Sequence, residues 1–167
     1  MRNLVSASIL CGLLAAPGSV WATKRWPYFP ALASALRDTG RIVIVGTEAD
    51  RPLALEIVAA TKGQAVDATG RLSLLASAEL IGRAALLVTN DSAPLHLASA
   101  MNTPTIAVFG PTVPEFGFGP LAERSAVAGH ASLTCRPCDR HGPQRCPLGH
   151  WRCMREITPD GVASLAV

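Results

Sequence analysis

Short aliphatic runs alternate with amphipathic stretches from Ile9 to Phe109, and this alternation narrows the possible folds more than any other feature. Arg41–Gly46 (RIVIVG) is a β-branched run closed by glycine, the composition of a buried strand. Ala65–Asp67, Ala85–Thr89 and Thr105–Phe109 read as further strands. Between them, Pro30–Asp38, the stretch opening at Pro52, Ser73–Arg83 and Ser92–Met101 have helical spacing. Leu32, Ala33 and Leu36 share one face of the first helix, and Leu53, Ile57, Val58 and Ala60 one face of the second. Strand–helix units with short connections predict an α/β fold: a Rossmann-like, mostly parallel sheet with flanking helices. After Gly110 the pattern gives way to Pro- and Gly-rich loop, with Val162–Val167 as the stub of a closing helix.

Composition narrows the class further. The chain has 167 residues, 49% hydrophobic and 16% charged, which suits a single domain with a real core and excludes a disordered chain. A net charge of +3 gives no case for nucleic acid. No apolar run reaches the roughly 18 residues of a membrane span.

The first segment has two readings. Met1–Ala22 has the parts of a secretory signal: Arg2, an apolar stretch Leu4–Ala16, and Val20-Trp21-Ala22 as a cleavage site. That reading implies export. The other is a buried strand, Ile9–Ala15, turning at Pro17-Gly18, which implies a cytoplasmic protein. Lys24 and Arg25 just past the cleavage point favour the strand, because positive charge there hinders export.

In an open α/β sheet, ligands bind outside the carboxyl ends of the strands. Four segments gather there. The loop Pro17–Pro27 offers small residues, hydroxyls and two cations, which suits a diphosphate. After Gly46, Glu48 is the candidate for ribose hydroxyls, while Asp50 serves as a helix cap. Thr89-Asn90-Asp91-Ser92 places four polar side chains in a row, more than one cap requires, and His96 follows within the helix. Thr112, beyond Gly110-Pro111, can donate to a phosphate or sugar oxygen.

Four of the five cysteines lie within one segment, in the Cys-rich loop 130–156, as Cys135-x2-Cys138-x7-Cys146-x6-Cys153. Cys-x2-Cys is a usual half-site for structural zinc, but the second half is irregular, so reduced thiols and local disulfides stay open beside it. Five arginines in the same segment suit a solvated loop or an anionic partner.

The order of these segments resembles the C-terminal domain of family 9 glycosyltransferases, the ADP-heptose:lipopolysaccharide heptosyltransferases. The matching stretches are APGSVWATKRWPYFPALA, IVIVGTEAD, TNDSAPLHLASAMNTPTIAVFGPT and CRPCDRHGPQRCPLGHWRCMREITPDGV, which together cover roughly Leu14 to Val162. The cysteine-rich ending is similar to heptosyltransferase II members. The resemblance implies the C-terminal half of a GT-B fold, one nucleotide-sugar-binding domain over residues 1–167, with the family's N-terminal acceptor domain absent. It implies inverting transfer of heptose from ADP-heptose to the lipopolysaccharide core at the inner membrane surface, without a catalytic metal. By position Lys24 meets the diphosphate with Thr23 assisting, Glu48 holds the ribose, and Asp91, Ser92 and Ala93 line the diphosphate and heptose. His96 matches a recurrent histidine of that helix. The alternatives are another GT-B nucleotide-sugar enzyme and a non-enzymatic, exported metal-binding module.

Overall fold

The computed structural model describes residues 11–166. Its first strand, β1 (Cys11–Ala16), is apolar on both faces: Leu13 and Ala15 belong to one core cluster, Leu14 and Ala16 to another. A strand buried on both sides belongs in the middle of a parallel sheet, and β1 lies between β2 (Ile42–Ile44) and β4 (Ala84–Asn90). With β3 (Val66–Asp67), β5 (Thr105–Phe109) and β6 (Ser125–Gly129) the spatial order is β3-β2-β1-β4-β5-β6, every pairing parallel.

Helices cover both faces. On one, α1 (Phe29–Leu36) and α2 (Arg51–Ala60) bury Phe29, Leu32, Ala54 and Ile57 against Leu13, Ile42 and Ile44. Two short C-terminal helices, α5 (Arg152–Arg155) and α6 (Pro159–Ala163), add Met154 and Val162 to the same cluster. On the other face, α3 (Leu74–Gly82) and α4 (Ala93–Met101) bury Ile81 and Ala98 against Leu14, Val43 and Leu87. Burying a side chain such as Phe29 or Ile57 contributes roughly 1.5–3 kcal/mol. Buried aliphatic and aromatic side chains of this kind therefore carry most of the stability.

The structure confirms the expected Rossmann-like sheet and departs from expectation in the last third. β6 stands where a loop was expected: it is an edge strand of small residues (SAVAG) in which Ala128 is the one buried side chain, so no apolar alternation marks it. The helix α5 starts after Trp151, which takes a left-handed conformation. The closing helix ends at Ala163 rather than starting at Val162, and Val167 lies outside the described residues. So do residues 1–10, on which the start of the expected first strand and the first part of the signal reading fall. Cleavage after Ala22 would remove β1 from between its two neighbours. Among the described residues, no helix is long and apolar enough to cross a membrane.

Candidate functional site

The strand order reverses between β1 and β4, so the crevice at their carboxyl ends is the switch point where such sheets bind ligands. Asn90, the last residue of β4, joins the two sides. Its buried amide donates to Pro17 O (2.8 Å), and its Oδ1 accepts from Trp26 N–H (3.1 Å). The β1–α1 loop is thereby fixed against the end of β4.

That fixation brings three predicted residues together. Lys24 Nζ lies 2.6 Å from Asp91 Oδ2, with both side chains more than 90% buried, and Thr112 Oγ1 donates to the same oxygen at 2.7 Å. A buried cation needs such a partner, because taking either charge out of water alone costs several kcal/mol, on the order of what the pairing returns. Thr23 turns away from this array and donates to Pro143 O of the Cys-rich segment.

Beside the array is a cavity of about 430 Å³, open at the carboxyl end of the sheet. Ser92 and Ala93 line it at the start of α4, where Ser92 makes no side-chain cap. Arg25 lines it too, an exposed cation whose Nε is held by Ser19 O at 2.8 Å. Val20, Leu72 and Leu74 form an apolar rim, 78%, 37% and 67% exposed.

The two carboxylates after β2 differ from their expected roles. Glu48 is exposed and does not line the cavity, and Arg51 grips it with two bonds of 2.6 Å, Nε to Oε1 and Nη2 to Oε2. That pairing holds its carboxyl below the ordinary range. Asp50 is buried and does line the cavity. It does not cap α2; its Oδ2 reaches back to the Thr47 N–H and hydroxyl, both at 2.8 Å. Its carboxylate fills the space beside Gly18, where an added Cβ would lie 2.4 Å from Oδ1. A carboxylate four residues past the glycine that closes a strand was the available signal, and the proline opening the helix hid it by suggesting a cap. Arg25, the second cation of the Pro17–Pro27 loop, lines the cavity where Lys24 does not.

His96 is exposed on α4 away from the cavity, edge-on to Phe118 at 6.3 Å, which in turn meets His141 of the Cys-rich segment at 6.0 Å.

The cysteines gather near Thr23. Cys138, Cys146 and Cys153 line one small cavity with Thr23, Pro111 and Trp151, and Cys135 Sγ lies 3.8 Å from His150 Nε2. Burial pushes the Cys153 thiol up to about 11. Burial also works to raise Cys146, but the backbone N–H groups of Leu148, Gly149, His150 and Trp151 outweigh it and lower that thiol. All four cysteines are free thiols. Their chemistry suits a soft metal; among the described residues no group of three or more His, Cys, Asp or Glu is arranged to hold an ion. The half-buried Arg136 stands among them. It donates to Phe109 O (2.9 Å) and Thr112 O (2.8 Å), and its Nε has no partner in the structure.

Comparison with known proteins places this site in context. The family model described as glycosyltransferase family 9 (heptosyltransferase) matches residues 12–150. The chain is 32% identical over 158 residues to lipooligosaccharide heptosyltransferase 2 of Campylobacter jejuni, covering 90% of this chain and 48% of that protein. It is 36% identical over 125 residues to lipopolysaccharide heptosyltransferase 1 of Pseudomonas aeruginosa, covering 72% of this chain and 34% of that one. The solved structure of E. coli ADP-heptose lps heptosyltransferase II superposes with a TM-score of 0.76 at 27% identity, over 93% of this chain and 46% of that one. The chain thus spans about half the length of the C. jejuni and E. coli heptosyltransferase II relatives.

Proposed function

We propose, for a chain that belongs to glycosyltransferase family 9, the heptosyltransferases, that its switch-point cavity binds ADP-heptose as donor for transfer of heptose to the lipopolysaccharide inner core. The observation that carries this is the cavity itself. An apolar rim, a buried carboxylate, a free helix start and an exposed arginine lie in one crevice beside a buried lysine. The name of the E. coli relative, an ADP-heptose heptosyltransferase, supports the choice of nucleotide and sugar.

Each part of the donor has a counterpart. Val20, Leu72 and Leu74 offer apolar surface for the base. Asp50, in place of Glu48, accepts from the ribose hydroxyls. The start of α4 at Ser92 and Ala93 and the guanidinium of Arg25 face the diphosphate, where amide donors and positive charge stabilise anions. Lys24 adds positive charge from behind, and Asp91 and Thr112 hold it there. When the acceptor hydroxyl displaces ADP, negative charge grows on the leaving diphosphate, and these fixed donors stabilise it. Transfer also needs a base within hydrogen-bond reach of the acceptor hydroxyl. The acceptor lies at the cytoplasmic face of the inner membrane, where the chain works as a peripheral protein.

A donor panel tests the reading. Calorimetry with ADP, UDP and GDP should show saturable binding of ADP alone, and assays with ADP-heptose and an inner-core acceptor should show little transfer by these 167 residues. Preference for UDP or GDP would favour a different nucleotide-sugar enzyme.

A further inference from the structure

We infer that Gln144 is a positioning residue for the diphosphate end of the donor site: its side-chain amide bridges two backbone groups on either side of Trp21, where the chain enters the turn carrying Lys24. Its Oε1 accepts from Ala22 N–H at 3.1 Å, and its Nε2 donates to Val20 O at 3.0 Å. Gln144 is 122 residues from Ala22 in sequence, so this contact is purely tertiary. The turn it grips, Ala22–Lys24, is a single 3-10 turn with no side-chain cap of its own. Such a turn has little internal means of keeping one geometry.

Its neighbours in sequence complete the grip. Pro143 O takes the Thr23 hydroxyl. Gly142 has φ +90°, and a Cβ added there would lie 3.3 Å from both Cγ and Cε of Lys24, so this part of the Cys-rich segment, residues 136–144, lies as a strap on the lysine stem. At its other end the strap is tied to the turn after β5, through Cys138 N–H to Pro111 O (2.8 Å) and Arg136 to Thr112 O (2.8 Å). The same strap therefore touches the turn that supplies Lys24 and the turn that supplies Thr112, and Asp91 bonds both side chains between them. Gln144 is itself exposed, so its two bonds add little to global stability. Their consequence is the place of the cation.

This inference rests on the donor reading above, and the experiment separates the two. ADP and adenosine affinities are measured by calorimetry and competition for the parent, Gln144→Met and Gln144→Ala, with thermal midpoints recorded alongside. Methionine keeps the length and bulk of the side chain and removes both hydrogen bonds. The expected result is ADP binding weakened about 3- to 10-fold in both variants, with adenosine binding weakened less, through Val20 alone, and the thermal midpoint unchanged. ADP binding by Gln144→Met equal to that of the parent overturns the inference and leaves the donor reading standing. Equal weakening of ADP and adenosine overturns it too, because a general loosening of the fold would do that. A parent that binds no ADP overturns the donor reading itself, and the inference with it.

Discussion

Lys24 and Asp91 form a buried ion pair in which each partner depends on the other. Removing one leaves the other charge out of water without compensation, a loss of about 3–5 kcal/mol. Asp91→Ala should therefore lower the unfolding free energy by about 3 kcal/mol in denaturant titrations, and the double variant Lys24→Met, Asp91→Leu should recover much of that loss. Gly18→Ala is a second sharp case. Its new Cβ would sit 2.4 Å from the Asp50 carboxylate, which is itself pinned by Thr47. Overpacking of this kind costs typically 1–3 kcal/mol, and displacement of Asp50 should weaken ADP binding in the same variant. Asp67 gives the acid limb. Burial raises its carboxyl, but Thr69 N–H (2.8 Å), the Thr69 hydroxyl (2.6 Å) and Arg51 outweigh that and hold it below its ordinary 3.8. A depressed folded value adds stability that is present above the unfolded value and lost as pH falls through the folded one. Asp67→Asn should thus lose stability near neutrality and show a flatter decline below about pH 4 in thermal scans.

At the scale of elements, the Cys-rich segment works as a strap between two loops of the site. Its cysteine spacing was visible in the sequence, but its tie to the Lys24 turn was not. The tie is made by an exposed glutamine, a proline carbonyl and a glycine, none of which has a local pattern. Glu48 and Asp50 show the same limit. Both follow a strand, and only the grip of Arg51 on one and the approach of Gly18 to the other decide which faces the cavity. The thiols should differ in reactivity, since the thiolate is the nucleophile. Cys146, cradled by four backbone N–H groups, should be alkylated first by iodoacetamide near neutral pH, and Cys153, raised to about 11 by burial, last. Peptide mapping after timed labelling checks that order.

Across the whole molecule, the regular period of strands and helices up to Phe109 made the parallel sheet legible, because strands buried on both faces read as unbroken aliphatic runs. The edge strand β6 escaped because half of it faces solvent and its residues are small. Two cavities among the described residues lie at opposite ends of the strands. One is the switch-point crevice, and the other, about 270 Å³, lies among Pro104, Ser125 and Leu165 at the amino ends of β5 and β6. Chemistry favours the first, where amide donors and side-chain charges converge. Backbone amide shifts recorded during an ADP titration decide between them. The expected perturbations fall on Gly18, Gly46, Asp50, Ser92 and Ala93 around the crevice. Perturbations at Thr105, Ser125 and Leu165 instead, or none at saturating ADP, would contradict the placement of the donor at the switch point.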